Sequence, residues 1–447
     1  MHYHFIAIGG AAMHNLALAL DKAGHKVTGS DDHIFEPSRS RLKKAGILPN
    51  QEGWFPERVE AKPDAIILGM HAREDNPELA KAKDLGIPIY SYPEFLFHQC
   101  QNKKRVVIGG SHGKTSITSM ILHALDKAGI ETDYMVGAQL EGFDIMVKIS
   151  DAPLVILEGD EYLTSPIDRK PKFLWYKPHL AVVSGIAWDH INVFPTFENY
   201  LEQFEKFRDT VSDKIFYFQG DEYLSDIMPN SASAEAIPYA EQEYEIIAGE
   251  TFVKFEGESY PMEIFGEHNL QNLEAARRIC QELGVEADDF YKHMQSFTGA
   301  SKRLEKMVEK GDRLAFKDFA HAPSKVKASL KAVRDQYPEK KCIAMLELHT
   351  FSSLTHEFLL QYKGSLDPAD RAWVYFNPET LKRKKLPELS MEEVQAAFEN
   401  EKVQVFTDSS EIWNQLKNEN LQEAVVLVMT SGNFDGVDID KTLKEIV

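Results

Sequence analysis

The stretch Val106-Val107-Ile108-Gly109-Gly110-Ser111-His112-Gly113-Lys114-Thr115-Ser116 constrains this chain more than any other. A β-branched run enters a glycine turn, Lys-Thr-Ser follows, and Met120, Ile121, Leu122, Ala124 and Leu125 then recur in a helical pattern. The order is strand, phosphate-cradling loop, helix N-terminus. Glycines let backbone N–H groups approach phosphate oxygens and the helix dipole favours the anion. Lys114 adds a point charge and Thr115 offers a hydroxyl to Mg²⁺. Ile108 stands where the common G-x-x-x-x-G-K-[ST] pattern has its first glycine. The reading is an ATP site, with Gly110, Ser111, His112, Gly113, Lys114, Thr115 and Ser116 as its contacts. A glycine turn that merely precedes Lys-Thr is the bland alternative.

At 447 residues the chain has room for two to four domains. A formal charge of −20 argues against a general nucleic-acid or anionic-membrane partner, whereas a small anionic ligand held by local loops stays open. Cys100, Cys280 and Cys342 form no C-x-x-C pair, so a disulfide framework or zinc site is not expected and a reducing cytosol fits. Met1-His2-Tyr3-His4 leads straight into a strand without a signal-peptide pattern, and no apolar run approaches the ~20 residues of a spanning helix. The expectation is a soluble, cytoplasmic protein.

Three α/β segments are expected: residues 1–102, 103–297 and 298–447. The first opens with the strand Phe5-Ile6-Ala7-Ile8, the turn Gly9-Gly10-Ala11-Ala12-Met13, a helix reaching Gly24, and a second strand ending in Asp31. That is a dinucleotide-type layout, in which the acid meets a ribose or base. Strands follow at 65–68 and 87–90, and Gln101-Asn102-Lys103-Lys104-Arg105 reads as a linker. In the second segment strands are expected at 154–157, 180–184 and 214–218, and a helix over 269–283 with Asn269 as its N-cap. The acidic stretch 235–250 carries no nameable chemistry. The third segment has strands at 314–319, 343–348, 372–376, 403–406 and 425–429 separated by helical patterns.

Several residues sit where such sheets gather ligands. Leu154–Leu157 runs into Glu158-Gly159-Asp160-Glu161-Tyr162, and a carboxylate at a strand end beside a phosphate loop is placed to hold Mg²⁺, with Glu158 preferred. The next strand leads to Asp189-His190, where a neutral His190 is a metal ligand or one half of a structural hydrogen bond. His268 and Asn269 offer adenine or ribose contacts, or only a helix cap. Arg303 supplies phosphate charge, while Asp318 and His321 lie at a strand end.

Together these residues resemble the Mur ligase family, ATP-dependent amide-bond ligases that build peptidoglycan precursors. The likeness spans nearly the whole chain: Gly9–Met13, Gly29-Ser30-Asp31, Asp75-Asn76-Pro77, G-S-H-G-K-T at 110–115 and E-G-D-E-Y at 158–162. It continues through Asp189-His190, G-E-H-N-x-x-N at 266–272, Arg303-Leu304-Glu305, D-F-A-H-x-P at 318–323 and Met429–Gly436. The shorter G-x-x-G-K-T loop belongs to the family's form. The resemblance implies a Rossmann-like first domain that holds a UDP-sugar, with Gly9, Gly10, Ala11, Ala12, Met13, Ser30 and Asp31 as contacts. It implies a P-loop-type middle domain for ATP and a Rossmann-like third domain for the amine substrate. Lys114, Glu158, His190 and Arg303 would be catalytic, and Thr115, Glu158 and His190 would hold Mg²⁺. Arg303 and Asp318 would reach the nucleotide on domain closure, in a monomer or homodimer acting on small-molecule substrates.

Asp168-Arg169-Lys170-Pro171-Lys172-Phe173 is similar to an insertion of the family member that joins UDP-N-acetylmuramate to the tripeptide L-alanyl-γ-D-glutamyl-meso-diaminopimelate. Phe434-Asp435-Gly436 points the same way, against the member that adds L-alanine. Other positions depart from the pattern. Lys317 and Ala322 replace a family aspartate and histidine, and Leu346–Ser353 lacks an arginine suited to a carboxylate-bearing acceptor. No lysine is placed as the carbamylated residue of some relatives. The alternatives are L-alanine as acceptor and a nucleotide-binding regulatory protein without ligase activity.

Overall fold

The first sheet is parallel throughout, built from β1 (His2–Ile6), β2 (Lys26–Ser30), β3 (Ala65–Leu68) and β4 (Ile89–Ser91) in the order β2-β1-β3-β4. The chain leaves β1 in one direction and returns on the other side, so the crevice lies at its C-terminal end. In this computed structural model, residues 1–70, 72–137, 143–165, 167–188, 193–300 and 303–447 are described. The first strand runs over His2–Ile6 rather than the expected 5–8. Ala7 turns it aside at φ +71°, and the N–H groups of Ala7 and Ile8 both donate to the Ser30 carbonyl.

The second sheet has β5 (Lys104–Gly109) at its switch point, with β6 (Asp133–Met135), β7 (Val147–Lys148) and β8 (Leu154–Glu158) on one side. On the other lie β9 (Leu180–Val183), β10 (Lys214–Phe218) and β11 (Glu235–Tyr239), in the order β11-β10-β9-β5-β8-β6-β7. Among the described residues only β7 is antiparallel in this sheet. Strands buried on both faces need unbroken apolar runs, and Leu154–Leu157 and Leu180–Val183 supply them. The expected linker at 101–105 instead runs into β5 at Lys104. Arg105 is held in place because its guanidinium donates to the carbonyls of Cys100, Gln101, Lys103, Tyr176 and Lys177.

The acidic stretch 235–250 forms β11 and β12 (Tyr244–Ile247). The latter opens an antiparallel meander with β13 (Glu250–Phe255) and β14 (Glu258–Met262). The last sheet runs β15-β16-β20-β17-β18-β19, from β15 (Glu305–Lys310), β16 (Arg313–Asp318), β17 (Lys341–Leu348), β18 (Arg371–Phe376), β19 (Val403–Phe406) and β20 (Ala424–Met429). It is parallel except for β15, a polar edge strand that alternation did not reveal.

Two compact units result, one of Met1–Ala240 with Glu274–Phe290, the other of Glu241–Leu273 with Tyr291–Val447. The first carries the first two sheets, the second carries the meander and the last sheet. Cys100, Cys280 and Cys342 are all buried; burial pushes the Cys100 and Cys342 thiols up to about 12 and raises Cys280 as well. Among the described residues no helix is long and apolar enough to cross a membrane.

Candidate functional site

The phosphate loop leaves the C-terminal end of β5, flanked by β8 and β9. Ile108 pairs with Glu158 on one side and Val182 on the other. Gly110 sits at φ +122°, and a Cβ there would lie 2.4 Å from Ser184 Oγ, so only glycine lets the loop pass this close to β9. Gly113, at φ +74°, immediately precedes the helix Lys114–Lys127. Lys114 and Thr115 therefore fall in its first turn, where backbone N–H groups lack helical acceptors.

Side chains from two strand ends and a backbone N–H after a third converge there. Lys114 Nζ donates to the Gly110 carbonyl at 2.6 Å and to Glu161 Oε2 at 2.8 Å. Thr115 Oγ1 donates to Glu158 Oε1 at 3.1 Å, and Gly137 N donates to Glu158 Oε2 at 3.0 Å. A Cβ at Gly137 would stand 2.8 Å from the Glu158 carboxylate. Burial works against the charge on Lys114, but the carboxylates of Glu161, Asp160 and Glu158 outweigh it and hold the ammonium above its ordinary pKa. Burial likewise pushes Asp160 up, yet Lys172 at 2.6 Å and Lys114 bring it down to about 2. A hydroxyl and a carboxylate side by side are hard oxygen donors of the kind Mg²⁺ takes alongside phosphate oxygens. Among the described residues no group of three His, Cys, Asp or Glu could hold a metal ion. Asp189 and His190 lie outside the described residues.

Ser111 faces inward, where its hydroxyl accepts from Ala187 N at 2.9 Å and meets Tyr200 OH at 2.8 Å. The His112 carbonyl accepts from Ser184 Oγ, and Ser116 is buried. Glu161 and Tyr200 were not singled out from the sequence. Glu161 stood in a recognisable acidic run, whereas Tyr200 is an aromatic in an amphipathic helix (Phe197–Arg208) and carries no local signal.

In the first sheet, Gly9 N donates to Asp31 Oδ2 at 2.7 Å, and a Cβ at Gly9 would lie 2.9 Å from that oxygen. Burial raises the Asp31 carboxyl to about 6, helped by neighbouring Asp32. Ser30 is fully buried and its hydroxyl accepts from Arg58 Nη1 at 2.7 Å. Gly10 caps the helix Ala11–Lys22 without a side-chain hydrogen bond, Ala11 and Ala12 are exposed in its first turn, and Met13 is buried beneath them. Asp75-Asn76-Pro77 is the start of the helix Pro77–Asp84, where the Asn76 side chain accepts from Glu78 N at 2.9 Å and Leu79 N at 3.1 Å.

The second unit brings residues 268 and 318 together. Asp318 ends β16, accepting from Ala320 N at 3.2 Å and from Ser329 Oγ. Burial holds the His268 imidazole below its ordinary pKa against the pull of the Asp318 and Glu267 charges. Asn269 is not the N-cap. The helix begins at Glu267, and Asn269 sits inside its first turn, donating back to the Phe265 carbonyl at 3.0 Å. Gly266, at φ +88°, lets this turn approach Ala332, 2.4 Å from where a Cβ would stand. The Arg303 guanidinium lies 4.8 Å above the Phe319 ring, and His321 Nδ1 lies 2.8 Å from the Phe319 carbonyl. Buried Glu347, at the end of β17, accepts from Phe434 N at 3.1 Å and from Thr430 Oγ1, with His349 Nδ1 3.6 Å away.

After β8, residues 162–165 pair with residues 168–172. Thr164 N donates to the Lys170 carbonyl at 2.9 Å, Ser165 N to Asp168 O at 3.0 Å, and Lys172 N to Tyr162 O at 3.0 Å. Trp175 Nε1 donates to Asp168 Oδ2 at 2.7 Å, and Lys170 Nζ lies 5.2 Å above the same indole. The motif at 168–173 is thus folded against the segment that delivers Asp160 and Glu161.

Three family models match the chain in turn: "Mur ligase family, catalytic domain" over residues 2–104, "Mur ligase middle domain" over 108–280, and "Mur ligase, glutamate ligase domain" over 302–432. The UDP-N-acetylmuramate–L-alanine ligase of Lactiplantibacillus plantarum is 28% identical over 445 residues, covering 97% of this chain and 96% of that protein. The UDP-N-acetylmuramate–L-alanyl-γ-D-glutamyl-meso-2,6-diaminoheptandioate ligase of Haemophilus influenzae is 25% identical over 464 residues, covering 98% and 97%. Among solved structures, the UDP-N-acetylmuramate–alanine ligase of Thermotoga maritima superposes with a TM-score of 0.73 at 18% identity, covering 100% of this chain and 98% of that one.

Proposed function

Because the chain belongs to the Mur ligase family, whose members are ATP-dependent amide-bond ligases, we propose that it joins UDP-N-acetylmuramate to the tripeptide L-alanyl-γ-D-glutamyl-meso-diaminopimelate in peptidoglycan recycling. The observation that carries this acceptor is the pairing of residues 162–165 with 168–172, pinned by the bond from Trp175 to Asp168. It gives structure to the motif that resembles the tripeptide-adding member of the family.

The residues suit activation of a carboxylate by phosphorylation. The lactyl carboxylate oxygen of the sugar attacks the γ-phosphorus, the bond to the bridging oxygen breaks, and an acyl phosphate and ADP form. The peptide amine then adds to the acyl carbon, and the tetrahedral adduct expels phosphate. Lys114 lies in the first helical turn beside the loop's N–H groups, where its charge and theirs offset charge on the transferred phosphoryl group. Thr115 and Glu158 would hold Mg²⁺, which neutralises polyphosphate charge when bound. Asp31 and the Gly9–Met13 turn would bind the UDP-sugar. Arg303, His268, Asn269, Asp318 and His321 would serve the nucleotide from the second unit.

A second acceptor, L-alanine, is favoured by one observation: half-exposed His349 and Thr350 stand where an arginine would grip a carboxylate-bearing peptide. Phosphate release from Mg-ATP and UDP-N-acetylmuramate, with tripeptide or L-alanine supplied separately, decides between them. Turnover is expected with the tripeptide and not with alanine. Turnover sustained by alanine alone overturns the acceptor assignment.

A further inference from the structure

We propose that Glu161 and Tyr200 are positioning residues of the phosphate loop: one continuous run of hydrogen bonds through them fixes the Lys114 ammonium and the Ser111 hydroxyl relative to each other. This rests on the reading of the loop as the ATP site. Glu161 Oε2 accepts from Lys114 Nζ at 2.8 Å and Glu161 Oε1 accepts from Tyr200 OH at 2.9 Å. Tyr200 OH meets Ser111 Oγ at 2.8 Å, and Ser111 Oγ accepts from Ala187 N at 2.9 Å. Four segments are joined: the phosphate loop, the turn after β8, the segment after β9 and the helix Phe197–Arg208.

The direction of every proton in the run follows from the chemistry of its ends. An ionised carboxylate only accepts and an ammonium only donates, so Glu161 receives from both Lys114 and Tyr200. Tyr200 has one O–H and has given it to Glu161. The shared contact with Ser111 must then be donated by Ser111, whose oxygen is left to accept from Ala187 N. No member can rotate without breaking a neighbour's bond. The Glu161 side chain is 2% exposed and Tyr200 is fully buried, so water is not at hand to replace a lost partner. The Tyr200 ring packs on Phe194 and Phe204, with centroids 5.4 and 5.3 Å apart. Packing alone would be met equally by phenylalanine, and the hydroxyl is what the run uses.

Two substitutions separate positioning from packing. Tyr200→Phe keeps the ring and removes the hydroxyl. Glu161→Gln keeps the shape but faces either Lys114 or Tyr200 with a second donor. Calorimetric affinity for Mg-ATP is expected to fall about 5-fold in Tyr200→Phe, as for one buried hydrogen bond, and about 50-fold or more in Glu161→Gln, as for a charged one. UDP-N-acetylmuramate affinity should stay within about 2-fold of wild type, and the steady-state KM for ATP should rise without a matching rise for the sugar. Unchanged Mg-ATP affinity in both variants overturns the proposal, and so does a parallel loss for both nucleotides, which would mark a general loosening of the fold. A wild-type protein that binds no Mg-ATP at all would instead overturn the assignment of the loop as the nucleotide site.

Discussion

Asp31 illustrates how much one carboxyl depends on the residue opposite. Gly9 brings a backbone N–H to 2.7 Å, and the close fit leaves no space for any side chain at that position. Burial nevertheless dominates and raises the acid to about 6. In the unfolded chain an aspartate loses its proton near 3.9, so between about pH 4 and 6 the unfolded state binds fewer protons than the native one and stability falls as pH rises. Asp31→Asn should flatten that decline in the thermal midpoint and weaken UDP-N-acetylmuramate binding. An unaltered pH dependence of Tm would contradict the buried, proton-retaining carboxyl. That Lys114, Thr115 and Glu158 lie together was legible in the sequence because a loop motif and a strand end encode them within a few residues. The partnership of Tyr200 with Glu161 was not, since 39 residues separate them and only the sheet order brings their segments together.

At the level of elements, a short match such as Asp75-Asn76-Pro77 acquires a mechanical meaning. Asn76 closes two orphan N–H groups, and the following Glu78 is fully buried, taking Phe55 N at 2.6 Å and His4 Nε2 at 3.1 Å. The cap therefore sets where a buried carboxylate enters the first sheet. Asn76→Ala should cost about 1 kcal/mol, a drop of about 2–4 °C in Tm for a domain of this size, and calorimetry of unfolding reads it directly. Apolar strands such as Leu180–Val183 and Ala424–Met429 were visible because burial on both faces demands a continuous run. The edge strand Glu305–Lys310 and the meander Tyr244–Met262 were not, because polar strands alternate too weakly to separate from loops. The helix near Asn269 was found but mis-capped. Its start two residues earlier is set by Gly266 lying against Ala332, a contact far off in sequence.

Across the whole molecule, a charge of −20 coexists with a function that handles polyanions, so attraction must be local: Lys114, the loop N–H groups and the helix ends rather than the surface field. The phosphate loop and the Gly9–Asp31 cluster fall in one compact unit, whereas Asp318 and His268 fall in the other. Saturating Mg-ATP and saturating UDP-N-acetylmuramate should each raise Tm, about 2.7 kcal/mol of stabilisation at one hundred times Kd. Lys114→Ala is expected to abolish turnover and the ATP-induced shift while keeping the sugar-induced one. Loss of both shifts would contradict the separation of the two nucleotide sites. The three buried thiols acquire a use from the same division. Cys100 and Cys280 lie in the first unit and Cys342 in the second, and all are protonated and shielded in the native chain. A thiol reagent thus finds nothing to modify until a unit opens, and peptide mapping of the labelled cysteine then reads out which half of the molecule opened first.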